Sequence, residues 1–147
     1  MSESVVEEFA AAWSSHDPER LARIFTEDCI YEDVVLDVCA QGHEDVKTFL
    51  RDWLASSSDL RMELKKLFGG GGAMGAEWLF SGTLNGELEG IPATGKRFEF
   101  RGASHFEFEN GKIKACIDFW DMATLRRQSA VGGFDARAVE EAPKTTK

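Results

Sequence analysis

The feature that most constrains the fold is a long alternating segment followed by a tight turn. Between Arg97 and Phe108, aromatic or small residues alternate with charged or polar ones, the pattern of a strand with one buried face. Asn110-Gly111 is a strong signal for a two-residue hairpin turn. Residues 112–120 have the composition of the returning strand. The segment therefore predicts an antiparallel hairpin with one apolar face.

Two carboxylates lie at the end of this returning strand, among bulky apolar residues. Asp118 shares a strand face with Trp120, whereas Asp121 stands at the start of a short predicted helix, Met122 to Gln128, and is interpreted as its cap. Burying a carboxylate is costly, so Asp118 calls for an explanation. We predict an acid/base group in a hydrophobic pocket, the alternative being a carboxylate that binds backbone at a strand end.

The N-terminal half has mainly helical periodicity. Ser4 is the expected cap of a first helix, and Asp17-Pro18 marks the start of a second, short one. A strand is predicted over Cys29–Val34, then a loop through Gly42 and a third helix from His43 to Ala55.

From residue 59 the period changes to two, which predicts four strands in a meander that ends in the hairpin. Helices followed by strands indicate an α+β fold. We expect a strongly curved antiparallel sheet wrapped around about three helices, with a cone-shaped cavity between the layers. Gly102, inside a strand of phenylalanines, is expected at a bend or at a wall cleared for a ligand.

Length and charge bound the remaining possibilities. The 147 residues suit one domain, predicted over residues 1–130, with 131–147 as a mobile tail. The net charge of −9 argues against nucleic-acid or anionic-membrane partners, and no apolar run is long enough to span a membrane. The acidic N-terminus lacks a signal region, so a cytoplasmic location is expected. Three cysteines and three histidines without ligand spacing predict no metal and no other cofactor.

Tyr31 and Asp33 share one face of the early strand, so both can point into the same cavity. Tyr31, the single tyrosine, is the natural donor to a developing oxyanion. Asp33 is predicted as a second acid/base that could share a proton with Asp118. The alternative for Asp33 is a strand end in solvent.

Aromatic rings are numerous, with 11 Phe and four Trp. Six of them could line a pocket, although core packing is the simpler explanation for each ring alone. As a set they predict a hydrophobic small-molecule substrate, polycyclic or aromatic. The six are Trp13, Trp53, Trp78, Phe80, Phe100 and Trp120.

Four segments together resemble a known family. They are Phe25–Tyr31, Gly42–Phe49, Ser81–Lys96 and the stretch from Gly111 to Gln128 that contains Asp-Phe-Trp-Asp and Leu-Arg-Arg-Gln. In this order they resemble the SnoaL-like polyketide cyclases, within the ketosteroid isomerase and nuclear transport factor 2-like superfamily, over roughly residues 3–130.

The resemblance implies a cone-shaped α+β barrel and a general acid/base at Asp118, with Leu125 and Gln128 in the following motif. The related limonene epoxide hydrolases add a Tyr and an Asn on the first strand, matched here by Tyr31 and Asp33. Their Arg-x-Asp pair is replaced by Trp78 and Phe80, which removes the acid that opens an epoxide.

In the cyclases, polar residues on the penultimate strand meet the substrate, and the matching positions here are Gly102 and Ser104. We therefore expect Ser104 to contact substrate.

Together these observations predict a cofactor-independent cyclase or isomerase that acts on a hydrophobic carbonyl compound. Asp118 would be the general acid/base, Tyr31 the oxyanion donor and Asp33 an auxiliary acid/base. The alternatives are a hydrolase or dehydratase that activates water, and a small-molecule binding module without catalysis. A homodimer that packs through the outer face of the sheet is expected.

Overall fold

A computed structural model describes residues 2–129, and the predicted tail 131–147 lies outside them. The described residues contain one six-stranded sheet, in the order β2-β1-β6-β5-β4-β3, with helices packed against it. The predicted α+β cone is confirmed. The elements are α1 (Ser2–Ser15), α2 (Pro18–Arg23), β1 (Phe25–Asp33), β2 (Val38–Gln41), α3 (Gly42–Ser56), β3 (Arg61–Gly70), β4 (Ala73–Thr83), β5 (Arg97–Glu109), β6 (Lys112–Trp120) and α4 (Met122–Ser129).

The predicted meander is confirmed, because β3 to β6 pair antiparallel in sequence order. The turn between β5 and β6 has positive φ at both Asn110 (54°) and Gly111 (78°), as a type I′ hairpin requires. The inward face of β5 buries Phe98, Phe100 and Phe106, in agreement with the alternating pattern.

The sheet is mixed, however, and not wholly antiparallel. β6 lies between β5 and β1 and pairs parallel with β1, with Tyr31 opposite Cys116 and Asp33 opposite Asp118. A parallel pair needs a long connection, which helix α3 and the meander supply. The short β2, at a place predicted as loop, pairs antiparallel with β1 at the edge of the sheet. The parallel register brings the two predicted site strands side by side.

Residues 2–129 contain four helices, the three packed against the sheet as expected and the short helix predicted after β6. α1 begins at Ser2, two residues before the expected cap Ser4. The Asp17 cap is confirmed, since its carboxylate accepts the backbone N–H of Glu19 at 3.0 Å and Arg20 at 3.3 Å. Among the described residues, none of the helices is long and apolar enough to cross a membrane.

The last helix is held to the sheet by the motif that follows β6. Asp121 caps α4 by accepting the N–H of Ala123 at 3.0 Å, as predicted. Leu125 is fully buried. The side-chain amide of Gln128 pairs with both backbone groups of Glu99 on β5, at 2.7 and 2.8 Å. This amide therefore bonds to β5 beyond the point where its pairing with β6 ends, as a continued strand would.

Gly102 clears space for a side chain and not for a ligand. It lies opposite Trp78 in the β4–β5 ladder, and a Cβ at position 102 would overlap the six-membered ring of Trp78. The wall is thus closed by an indole packed across the glycine. The expectation of a ligand-facing clearing at this position is wrong.

Candidate active site

Asp118 is buried in the middle of the sheet, with only 4% of its surface exposed. Each of its carboxylate oxygens accepts a short hydrogen bond from a hydroxyl. Ser104 on β5 donates to Oδ1 at 2.6 Å, and Tyr31 on β1 donates to Oδ2 at 2.7 Å. The strand order places these donors on the two strands that flank β6, so the sheet itself assembles the cluster.

A second layer of donors stands behind the two hydroxyls. The indole Nε1 of Trp13 donates to the Tyr31 hydroxyl at 3.2 Å, and that of Trp78 donates to Ser104 Oγ at 2.9 Å. Tyr31 and Ser104 are buried and are not on the cavity wall. The structure thus places both hydroxyls against Asp118, whereas the sequence predicted that they face substrate.

The pKa of Asp118 is raised from 3.8 to about 7. Burial is the largest cause, because the charged form loses its hydration. The hydrogen bonds from Ser104 and Tyr31 favour the charged form and oppose this rise, and the nearby charge of Asp33 adds to it. A carboxyl with a pKa near neutrality can both accept and return a proton at physiological pH.

Cys116 joins the cluster, although the sequence analysis assigned it no role in the site. Its Sγ lies 3.7 Å from Asp118 Oδ1. Burial, followed by the charge of Asp118, holds the pKa of Cys116 and that of Tyr31 well above their usual values. Both groups therefore remain protonated donors. The sequence signal that could have placed Cys116 in the site was its spacing from Asp118, since residues 116 and 118 share a strand face.

Asp33 is also buried, with 2% exposed, so the alternative of a strand end in solvent is wrong. Its Oδ1 accepts the backbone N–H of Val35 and of Leu36, both at 3.0 Å. The indole Nε1 of Trp120 donates to its carboxylate, at 3.0 Å from Oδ2. Burial raises the pKa of Asp33, and these hydrogen bonds counteract the rise.

A small cavity lies against Asp118 and Asp33. It leaves about 10 Å³ of space for the centre of a water molecule, which is room for about one water. All six rings that the sequence proposed for a pocket are on its wall. Its lining is Trp13, Asp33, Trp53, Met62, Trp78, Phe80, Phe100, Asp118 and Trp120.

The rings are packed closely around this space. Phe100 and Trp120 stack with centroids 4.5 Å apart and planes 15° from parallel, and Trp53 meets Trp120 edge to face at 5.9 Å. Trp120 is half-buried and lines the cavity, so its ring lies between the cavity and the protein surface. A polycyclic compound therefore does not fit unless these rings move.

A groove of about 310 Å³ lies outside the cavity and shares Trp53 with it. Its floor is apolar, and its rim carries three carboxylates. The lining residues are Leu36, Val38, Phe49, Asp52, Trp53, Ala55, Ser56, Glu87, Leu88 and Glu89.

Within residues 2–129, no group of three or more His, Cys, Asp or Glu side chains could hold a metal ion. The groups that surround the carboxyl of Asp118 are two hydroxyls, a thiol and indole N–H groups.

Comparison with known proteins gives one family. A profile of the SnoaL-like polyketide cyclases matches residues 3–129, most of the chain. The comparison with proteins of curated function found no match.

Many solved structures share this fold, among them three from Streptomyces and Catenulispora species. TsrD from Streptomyces laurentii is 28% identical, with a TM-score of 0.78, and the match covers 88% of this chain and 95% of TsrD. A ketosteroid isomerase-like protein from Catenulispora acidiphila, in complex with trimethylamine, is 20% identical with a TM-score of 0.77, covering 87% and 93%. IdmH from Streptomyces antibioticus, a candidate polyketide cyclase, is 18% identical with a TM-score of 0.77, covering 89% and 99%.

Proposed function

This chain belongs to the SnoaL-like polyketide cyclase family, and from that premise we propose a cofactor-independent enzyme that isomerises or cyclises a hydrophobic carbonyl compound. One observation carries the proposal: a buried carboxyl with a pKa of about 7 lies on the wall of an aromatic cavity. Such a group is matched to proton transfer near neutral pH.

In the proposed reaction, ionised Asp118 removes a proton from the carbon next to a carbonyl group. The electron pair of the broken C–H bond moves into the enolate. Asp118 then returns the proton at another position, which is isomerisation. Alternatively, the enolate carbon attacks a second carbonyl, which closes a ring, and the proton on Asp118 passes to the alkoxide oxygen that this attack forms. Tyr31 and Ser104 stabilise the carboxylate, so we assign them to Asp118 and not to the substrate oxyanion.

We assign Asp33 to the cavity wall and not to proton transfer. Three N–H donors occupy its carboxylate, and one of them is the indole of Trp120. Asp33 thereby fixes the ring that covers the cavity. Two carboxyls in one apolar site take different roles when their surroundings differ, as here.

The substrate body is proposed to lie in the groove beside Trp53, with only the reacting carbon next to Asp118. The volumes support this division, since the cavity has room for about one water and the groove for a small organic molecule. Entry of the reacting group requires Trp53 and Trp120 to turn.

Deuterium incorporation in D₂O tests the proposal directly. A panel of apolar ketones and β-dicarbonyl compounds is incubated with enzyme, and exchange at the α-carbon is followed by NMR. The rate should rise as pH passes about 7, where Asp118 ionises. Asp118→Asn should lower it by about 10²- to 10⁴-fold. Asp121→Asn, the same change in an exposed helix cap, serves as the matched control.

Equal exchange by wild type and Asp118→Asn would refute the acid/base assignment. Tight binding of a panel compound without any turnover would favour the binding-module alternative.

A second candidate, activation of water by Asp118, is favoured by the water-sized space beside its carboxyl. Hydration or hydrolysis would transfer ¹⁸O from labelled water into the product. Isomerisation and aldol cyclisation without dehydration leave the oxygen atoms in place, so mass spectrometry separates the two functions.

We also propose that two copies associate through the outer face of the sheet. Ile30, Val34 and Phe119 lie there, between 46% and 48% exposed, which is unusual for large apolar side chains. Sedimentation should show a dimer for wild type and a monomer for Phe119→Asp. A monomeric wild type would contradict the proposal.

A further inference from the structure

We propose that Trp13 and Trp78 are positioning residues of this site. Each indole N–H donates to one hydroxyl and so keeps the proton of that hydroxyl directed at the carboxylate of Asp118. We call these two indole–hydroxyl–carboxylate chains the arms of a relay. Together they leave Oδ2 as the atom that exchanges a proton. The exchange step rests on the proposed function, whereas the fixed hydroxyl protons do not.

The direction of each hydrogen bond follows from the donor inventory. An indole N–H can only donate, and a hydroxyl carries a single proton. Because the Tyr31 oxygen accepts from Trp13 at 3.2 Å, its own proton is free for Asp118 Oδ2 at 2.7 Å. On the other side of the carboxylate, Ser104 Oγ accepts from Trp78 at 2.9 Å, so the hydroxyl proton of Ser104 is free for Asp118 Oδ1 at 2.6 Å.

The arms do not fill the carboxylate equally. An ionised carboxylate has about four acceptor positions, two on each oxygen. Ser104 and the thiol of Cys116 both reach Oδ1, whereas Tyr31 is the one donor to Oδ2 among residues 2–129. The remaining position is therefore on Oδ2, and the residue that bears it is on the cavity wall.

Proton exchange at this position requires no rearrangement of the cluster. A proton taken by Oδ2 occupies the unused position, so both hydroxyl protons can stay where the indoles hold them. Donors that are already oriented add no reorganisation cost when charge appears or disappears.

The other two tryptophans give an internal contrast. Trp120 donates to Asp33, and the indole N–H of Trp53 makes no hydrogen bond to a side chain within residues 2–129. Trp53 nevertheless lines the same cavity and packs against the same rings. Replacing Trp53 by Phe therefore changes ring packing without touching the relay.

The single tyrosine makes the relay observable without substrate. Protein labelled with ¹³Cζ-tyrosine gives one resonance, from Tyr31. Between pH 5 and 9 we expect this resonance to titrate with the midpoint of Asp118, near 7, and to lose that titration in Asp118→Asn.

Trp13→Phe and Trp78→Phe retain a ring and remove the N–H. A hydroxyl that no longer accepts a hydrogen bond donates more weakly, because hydrogen bonds in a chain strengthen one another. The midpoint should therefore rise by about half a pH unit in each variant. Trp53→Phe should leave it unchanged. Unchanged midpoints in the Trp13 and Trp78 variants, or an equal rise in Trp53→Phe, would overturn the proposal.

If a variant fails to fold, a measurement on the wild-type protein still tests the relay. The ¹⁵N-indole resonances of Trp13 and Trp78 should move with the Tyr31 midpoint, and that of Trp53 should not. If the relay titrates as described while Asp118→Asn keeps full α-carbon exchange, the proposed function fails and the positioning roles stand. The reverse result removes the relay and leaves Asp118 as acid/base.

Discussion

The charge on Asp118 should make the protein less stable as pH rises. Its pKa is about 7 in the folded state, against 3.8 for an unperturbed aspartate. Between these values the folded chain binds a proton that the unfolded chain has released. The free energy of unfolding therefore falls from about pH 4 to about pH 7 and levels off above, where both states are ionised.

The magnitude follows from the two pKa values. A difference of about three units, at 1.36 kcal/mol per unit, corresponds to about 4 kcal/mol in full. Because part of this loss has occurred by pH 5, the change between pH 5 and pH 8 is about 3 kcal/mol. That is a large share of the 5–15 kcal/mol by which domains are typically stable.

Asp118→Asn removes the ionisation and keeps the shape. Its amide also places a donor against Tyr31 or Ser104, which costs about 1–3 kcal/mol at every pH. This constant cost cancels when the variant is compared with wild type at two pH values. We expect the stability of Asp118→Asn relative to wild type to increase by about 3 kcal/mol from pH 5 to pH 8.

Urea unfolding followed by tryptophan fluorescence at pH 5, 6, 7 and 8 measures this difference. Asp121→Asn, an exposed cap that Asn can replace, should run parallel to wild type. Parallel profiles for Asp118→Asn would show that position 118 carries no buried ionisable group with a raised pKa. The reasoning about its role as acid/base would then lose its basis.

Three further substitutions test the surrounding packing by urea unfolding. Gly102→Ala should destabilise by about 1–3 kcal/mol because its methyl group meets Trp78, whereas Gly70→Ala, where a Cβ has nothing within 4 Å, should be close to neutral. Gln128→Ala should cost about 1–2 kcal/mol by removing both hydrogen bonds to the backbone of β5, and an unchanged midpoint would show that α4 is held by packing alone. Asp33→Ala should cost about 2–4 kcal/mol because it leaves two backbone N–H groups and an indole N–H without their acceptor; a smaller loss than for Gln128→Ala would contradict its structural assignment.

Local signals in the sequence predicted most of the fold. Asp17-Pro18, Asn110-Gly111 and the alternation in β5 each determine structure within a few residues, and the helix and strand bounds they indicate agree with the structure. β2 was missed because four residues at a sheet edge, with only Ala40 buried, carry no clear period. The parallel pairing of β1 with β6 was missed because it joins residues far apart in the chain.

For the site, periodicity identified which residues face inward but not how deep they lie. Asp118 and all six proposed rings line the cavity, whereas Tyr31 contacts Asp118 and is not on the cavity wall. Whether a hydroxyl reaches the substrate or the carboxylate depends on rotamers and on neighbours across the sheet, which no spacing encodes. The same limit explains the wrong expectation for Gly102, because Trp78 of the adjacent strand fills the space where a side chain would lie.

The position of β6 also has a consequence for how the protein folds. β6 is the last strand within residues 2–129, yet it lies between β1 and β5, so the sheet is continuous only after this strand has been inserted. The Tyr31–Asp118 hydrogen bond spans 87 residues, and closing such a loop costs about 4 kcal/mol of chain entropy. The β3–β5 meander can form from local contacts, whereas the Asp118 cluster forms only when the C-terminal strand docks beside β1. Docking of β6 therefore joins the two parts of the sheet and assembles the candidate active site in the same step.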